Sequence, residues 1–73
     1  MSHIIAINAR NQLKGRIKDI IPGPVVSEVD VETAAGIVTS VVTSRSLRDL
    51  DLKPGAEVLA IFKSTEVALA KIE

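Results

Sequence analysis

The feature that most constrains the fold of this chain is a strict alternation of side-chain character over residues 27–44. From residue 28 to residue 32 every second side chain is acidic, and the intervening ones are valine. After the connection Ala34-Ala35-Gly36, residues 37–44 keep a period of two in valine, isoleucine, serine and threonine. A period of two sends successive side chains to opposite faces of a β-strand. The alternation therefore predicts two long strands joined by a tight turn, a β-hairpin.

Two further segments have the composition of strands. Residues 13–18 alternate apolar or glycine positions with basic ones, and residues 57–63 form an apolar strand that ends in Lys63. We also predict extended structure at Ile4–Ile7 and a final strand over residues 67–71. Val, Ile and Thr together number 22 of the 73 residues, and such β-branched side chains favour the pleated surface of a sheet.

Proline and glycine mark the breaks between these strands. The run Pro22-Gly23-Pro24 predicts a turn, since neither a helix nor a central strand accommodates it. Pro54-Gly55 suits the second and third positions of a type II turn. Residues 44–50 change to a period of three, and Ser46 with Asp49 fits the Ser-x-x-Asp pattern that begins a helix. We therefore predict one short helical link before the apolar strand.

Together these elements predict an all-β fold, a small OB-like Greek-key barrel of five to six strands with one short helical link. A sheet this small must close on itself or pair its edges elsewhere. No repeat or linker is visible along the chain, so we expect residues 1–73 to form a single domain.

The composition excludes several classes of protein. There is no cysteine and one histidine, His3, so neither a disulfide framework nor a thiolate or multi-histidine metal site is expected. No apolar run is long enough for a signal peptide or a membrane span, and we expect a cytoplasmic protein without a membrane partner. Nine basic residues balance nine acidic ones and Phe62 is the one aromatic residue, which argues against nucleic acid as a partner.

The small size and the apolar character of the chain together predict self-association. A domain of about 60 residues buries only about 60% of its unfolded surface and is marginally stable alone. Hydrophobic residues nevertheless make up 47% of this chain. Without a disulfide or a structural metal, oligomerisation is the usual way to bury the remaining apolar surface.

The sequence offers little for catalysis. His3 lies close to the terminus and has no evident nucleophile to serve as a base. The acidic residues of the alternating strand have the spacing of a solvated face. We therefore expect no catalytic residue, no metal ligand and no enzyme activity.

Three polar segments share one chemistry. Residues 8–12 are rich in amides and include an arginine, residues 39–44 embed hydroxyls in a strand, and residues 63–65 place Lys-Ser-Thr after an apolar strand. Cations and neutral donors of this kind suit a compact tetrahedral oxyanion, whose four oxygens only accept hydrogen bonds. Each charge-assisted bond contributes about 1.5–3 kcal/mol net. The pattern leaves open whether the three segments meet in space.

The run Ala9-Arg10-Asn11-Gln12-Leu13-Lys14-Gly15 resembles the N-terminal signature of the molbindins, the small molybdate-binding Mop proteins built on a TOBE-type domain. The strand 37–44, the link ending in Lys53-Pro54-Gly55 and the motif Lys63-Ser64-Thr65-Glu66-Val67 follow in the family's order, so the resemblance covers residues 8–71. It implies an OB-like barrel that dimerises by strand exchange and forms a hexamer, a trimer of dimers. Molybdate or tungstate would bind at the subunit interfaces.

The resemblance also implies which residues hold the oxyanion. Arg10 matches the motif arginine, and Asn8 stands where many members have serine, so that a longer amide replaces a hydroxyl. Two hydroxyl positions three apart in the central strand match as well, as does the Lys-Ser pair after the apolar strand. The implied oxyanion-binding residues are Asn8, Arg10, Ser40, Thr43, Lys63 and Ser64.

The leading hypothesis is a protein that binds molybdate or tungstate for intracellular molybdenum storage or homeostasis. One alternative is a ligand-independent interaction or regulatory module associated with molybdate transport. Another is a carrier of a molybdenum-pterin cofactor, for which Phe62 is the only ring available for stacking. Binding of single-stranded nucleic acid is supported only by the basic strip Lys14, Arg16 and Lys18.

Overall fold

A computed structural model describes residues 10–73, and its main feature is one antiparallel sheet of four strands. The strands are β1 (Asn11–Ile21), β2 (Val26–Thr33), β3 (Gly36–Thr43) and β4 (Glu57–Phe62). A short helix, α1 (Ser44–Asp49), follows β3, and a 3₁₀ turn (Ser64–Glu66) follows β4. The strand order β3-β2-β1-β4 leaves β3 and β4 at the two edges of a sheet that curls into a half-barrel. The predicted all-β class with one helical link is confirmed.

The concave face of the sheet carries the core, as the alternation predicts. Val29 and Val31 of β2 are buried together with Ile17 of β1, and Leu47 of α1 packs against them. The acidic residues Glu28 and Glu32, and the basic residues between the apolar positions of β1, are exposed on the opposite face. Burial of these few aliphatic side chains is the hydrophobic contribution that holds the sheet and α1 together.

Gly15 marks a close approach between two strands. It pairs with Thr33 of β2 and with Val58 of β4, in the middle of the sheet. A Cβ at this position would lie 2.4 Å from the carbonyl oxygen of Glu32 and 2.8 Å from Cγ1 of Val31. Glycine in a strand interior often marks such a close backbone approach. The absence of a side chain at Gly15 therefore permits β1 to curl tightly against β2.

The turns predicted from glycine are also confirmed. The amide of Ala56 donates to the carbonyl of Lys53 at 3.0 Å, which closes the turn around Pro54-Gly55. Gly55 has a φ of 91°, the positive value that a type II turn requires at its third position. The β2–β3 connection likewise ends at Gly36, with a φ of 113°.

The residue that begins α1 differs from the prediction. The N-cap is Thr43 rather than Ser46, and its hydroxyl accepts a hydrogen bond from the amide of Ser46 at 3.1 Å. Thr43 has the extended backbone that an N-cap needs because it is the last residue of a strand. The helix therefore starts at Ser44, immediately at the end of β3.

The predicted final strand over residues 67–71 is wrong. Residues 67–73 form no strand and are exposed throughout. The 3₁₀ turn interrupts the extended backbone after Phe62. No strand within residues 10–73 pairs with residues 67–73. The extended segment expected at Ile4–Ile7 lies outside the described residues, and those residues contain four strands.

Candidate functional site

Three of the predicted binding residues lie at one corner of the sheet. Arg10 directly precedes β1, whose first residue Asn11 pairs with Phe62 of β4. Lys63 directly follows Phe62, and Ser64 begins the 3₁₀ turn. All three predicted residues are exposed. We call Arg10, Lys63 and Ser64 the cation corner, because the register of one strand pair brings two cations to the same end of β1 and β4.

The cations of this corner are not neutralised by any carboxylate in residues 10–73. The neighbouring basic residues of β1 are paired with a carboxylate. Lys14 Nζ lies 3.1 Å from one carboxylate oxygen of Glu57, and the Arg16 guanidinium lies 3.5 Å from the other. Ionised donors make the strongest hydrogen bonds to anions. The charges of Arg10 and Lys63 are therefore available to an external anion, whereas those of Lys14 and Arg16 are compensated within the sheet.

The main chain at the corner is held by a residue that the sequence analysis did not assign. The carboxylate of Glu66 accepts a hydrogen bond from the amide of Lys63 at 3.1 Å. In return, the amide of Glu66 donates to the carbonyl of Lys63 at 2.9 Å. The signal was present in the sequence, since a Glu three residues after a cap position is half of the capping-box pattern.

The two predicted hydroxyls of β3 do not share a face. Ser40 is half-buried and lines the concave groove of the half-barrel, whereas Thr43 is exposed on the other side of the strand. Residues three apart in a strand of period two necessarily point in opposite directions. The Thr43 hydroxyl is also occupied, since it donates to Ser46 Oγ at 2.8 Å while it caps α1.

The hydroxyl-rich segment also supplies a buried structural network. Ser44 Oγ donates to the carbonyl of Gly23 at 2.7 Å and lies 2.7 Å from Ser27 Oγ, which accepts from the amide of Gly23 at 3.3 Å. Because the single Ser44 proton goes to Gly23, Ser27 is the donor between the two serines. Both serines are buried, and the network ties the Pro-Gly-Pro turn to the start of α1.

In the sheet register, Ser40 is remote from the cation corner. Ser40 pairs with Val29, which pairs with Ile20, nine residues after Asn11 in β1. That separation is about 30 Å of strand at roughly 3.3 Å per residue, and β3 and β4 lie at opposite edges. The structure thus brings together Arg10, Lys63 and Ser64 but not Ser40 or Thr43, and Asn8 lies outside the described residues.

Much apolar surface remains uncovered in the described part of the chain. Four hydrophobic side chains are buried, against eleven large ones that are exposed. Patches of this kind usually mark interaction surfaces. The exposed residues are Ile21, Val25, Val26, Ile37, Val41, Leu50, Leu59, Ile61, Val67, Leu69 and Ile72.

None of the helices in residues 10–73 has the length and apolar character needed to cross a membrane. Over the same range, no group of three or more His, Cys, Asp or Glu side chains is arranged to hold a metal ion.

Comparison with known proteins gives consistent matches along the chain. The family model of the TOBE domain matches residues 7–69. Molybdenum-pterin-binding protein 3 of Clostridium pasteurianum is 44% identical over 66 residues, which are 89% of this chain and 97% of that protein.

Two solved structures resemble the fold closely. A molybdate-binding protein from Sporomusa ovata has a TM-score of 0.87 at 33% identity, covering 92% of this chain and 100% of its own. The cytoplasmic molybdate-binding protein ModG, with molybdate bound, has a TM-score of 0.77 at 40% identity, covering 81% of this chain and 43% of its own. These neighbours confirm the predicted OB-like fold and the resemblance seen in the sequence motifs.

Proposed function

The chain belongs to the TOBE domain family, and we propose that it binds molybdate or tungstate at interfaces between copies of itself. The role we infer is storage or homeostasis of molybdenum in the cytoplasm, by reversible binding without catalysis. The relatives support this ligand, since they are molybdenum-binding and molybdate-binding proteins and one of them holds molybdate. Hydrogen bonds and ionic attraction hold a dianion without any covalent change.

The cation corner is the observation that carries the proposal. Arg10 and Lys63 are exposed cations at one end of a strand pair, without a carboxylate partner in ion-pair contact among residues 10–73. Like charges brought close together repel each other, and a dianion bound between them turns that repulsion into attraction. Ser64 adds a neutral hydroxyl donor, so the corner offers charge and hydrogen bonds to the same ligand.

The distance of Ser40 from this corner supports a site shared between subunits. A second copy can present its β3 edge to the cation corner of the first, and closed symmetry then repeats the same contact. The open apolar groove and the exposed residues 67–73 offer the surface that such association needs. We therefore propose a homo-oligomer, a hexamer built as a trimer of dimers by strand exchange, with oxyanions at its interfaces.

Native mass spectrometry with and without molybdate tests the assembly and the ligand together. We expect six copies of the chain and an added mass that corresponds to whole molybdate ions. Equilibrium dialysis then compares molybdate, tungstate and sulfate, and we expect the two larger oxyanions to be retained more strongly. No retention of molybdate at micromolar protein, or a monomer that binds as well as the assembly, would overturn the proposal.

A molybdenum-pterin ligand is the second candidate, because the Clostridium pasteurianum relative is named for it. Phe62 is half-buried and lines the concave groove, so a stacked pterin would have to enter that groove. We expect molybdate alone to saturate the protein. Retention of a fluorescent pterin cofactor by a protein that does not retain molybdate would favour the second candidate.

A further inference from the structure

We propose that Glu66 positions the main chain of Lys63 and Ser64 and, through its charge, lowers the affinity of the cation corner for dianions. The inference rests on the function proposed above, and it assigns opposite roles to the acceptor oxygen and the charge of one side chain. Glu66 is a positioning residue that acts through Lys63 and so sets the affinity of the cation corner for dianions.

The positioning role follows from how little else holds this segment. Two hydrogen bonds link Lys63 and Glu66 in opposite directions, from the Lys63 amide to the carboxylate and from the Glu66 amide to the Lys63 carbonyl. The next bond, from Val67 to Ser64, is longer at 3.3 Å. No residue of the 3₁₀ turn is buried, so packing does little to fix it. The side-chain bond of Glu66 is therefore a main constraint on where Lys63 and Ser64 point.

The charge role follows from where the carboxylate is held. Glu57 neutralises Lys14 and Arg16 by direct ion pairs, but Glu66 uses its oxygen on a main-chain amide instead. Within residues 10–73 it pairs with neither cation of the corner. Its negative charge consequently remains beside the place where a dianion would bind, and it also faces the groove that Phe62 lines.

The size of the repulsion can be estimated from elementary electrostatics. A unit charge one Debye length from a dianion, about 8 Å at about 0.15 M salt, changes binding near a surface by roughly two- to fivefold. The effect weakens as salt rises because the Debye length shortens. A residue of this kind favours release of the anion over permanent sequestration.

The test compares two variants by molybdate titration calorimetry on the full chain. Glu66→Gln keeps an acceptor for the Lys63 amide and removes the charge, so we expect binding about two- to fivefold tighter, with the gain shrinking at higher salt. Glu66→Ala removes the charge and also the acceptor, so we expect its binding to be weaker than that of Glu66→Gln. Asp49→Asn, at the exposed end of α1, makes the same change in net charge away from the corner and should leave affinity unchanged.

Amide hydrogen exchange in the ligand-free protein separates this inference from the proposed function. We expect the Lys63 amide to exchange faster in Glu66→Ala and at the original rate in Glu66→Gln. If the unmodified chain does not bind molybdate, the proposed function fails, yet the exchange rates still report whether Glu66 positions Lys63. Equal affinities of the two variants, a Gln variant that binds no more tightly than the unmodified chain, or equal Lys63 exchange in all three would overturn the inference.

Discussion

Replacement of Lys63 by alanine is the most direct perturbation of the cation corner. Lys63 follows the last residue of β4, is exposed, and has no ion-pair partner among residues 10–73. A charge-assisted hydrogen bond to an anion contributes about 1.5–3 kcal/mol net, and 1.4 kcal/mol corresponds to tenfold in affinity. We expect Lys63→Ala to weaken molybdate binding at least tenfold in equilibrium dialysis or calorimetry. The melting temperature should change little, because an exposed side chain is removed.

Lys14→Ala is the matched control. It removes the same charge from the adjacent strand, but Lys14 pairs with Glu57 and sits opposite Leu59, four residues before Lys63 in β4. That distance is about 13 Å of strand, longer than the Debye length of about 8 Å at physiological salt. We expect less than a twofold change in affinity for this variant. Equal losses for the two variants would refute the assignment of Lys63 as a direct ligand.

The remaining predictions concern the framework around the site and are measured as thermal unfolding at fixed protein concentration, because assembly couples to stability. Gly15→Ala places a Cβ 2.4 Å from the Glu32 carbonyl oxygen, and we expect the free energy of unfolding to fall by about 2–3 kcal/mol. Unchanged stability would contradict the close packing of β1 against β2. Thr43→Ala removes the cap of α1 and should cost about 1 kcal/mol, whereas Thr43→Ser should keep it; equal melting temperatures would argue against the cap. Ser44→Ala deprives the buried Ser27 hydroxyl of its acceptor, and we expect the free energy of unfolding to fall by about 1–3 kcal/mol. Unchanged stability would contradict the structural role of the serine pair.

The strands were predictable because their signal is local. Alternation over β2 and β3 reports directly which side chains face the core, and burial of Val29 and Val31 agrees with it. The turn around Pro54-Gly55 was predictable for the same reason, since a positive φ at its third position selects glycine. Local chemistry and tertiary structure favour the same conformation at these positions.

Predictions failed where the outcome depended on what lies next to a segment. Residues 67–71 have the composition of a strand, but in residues 10–73 they pair with neither edge strand of the sheet, β3 or β4. The cap of α1 was assigned to Ser46 because Ser46 and Asp49 have the Ser-x-x-Asp spacing. The strand before it runs directly to Thr43, and the extended backbone there makes Thr43 the cap.

The positions of the predicted binding residues relative to one another could be foreseen only in part. Arg10, Lys63 and Ser64 came from sequence motifs, and the register of β1 with β4 brings them to one corner. Ser40 and Thr43 looked like a pair because of their spacing, yet a strand directs them to opposite faces. The contact between Glu66 and the Lys63 amide was missed because only half of the capping-box pattern is present, with Lys63 instead of serine or threonine at the cap position.

A chain without net charge can still attract a dianion, because its charges are paired unevenly. Glu57 pairs with two basic residues of β1, Lys14 and Arg16. Arg10 and Lys63 lie at the same end of the sheet without such compensation among residues 10–73. Among the described residues, the carboxylate that hydrogen-bonds to Lys63 is that of Glu66. It accepts from the main-chain amide of Lys63 and does not contact the ammonium. Under the proposed function, Arg10 and Lys63 attract the dianion to their corner of the sheet, and the Glu66 charge beside them favours its release.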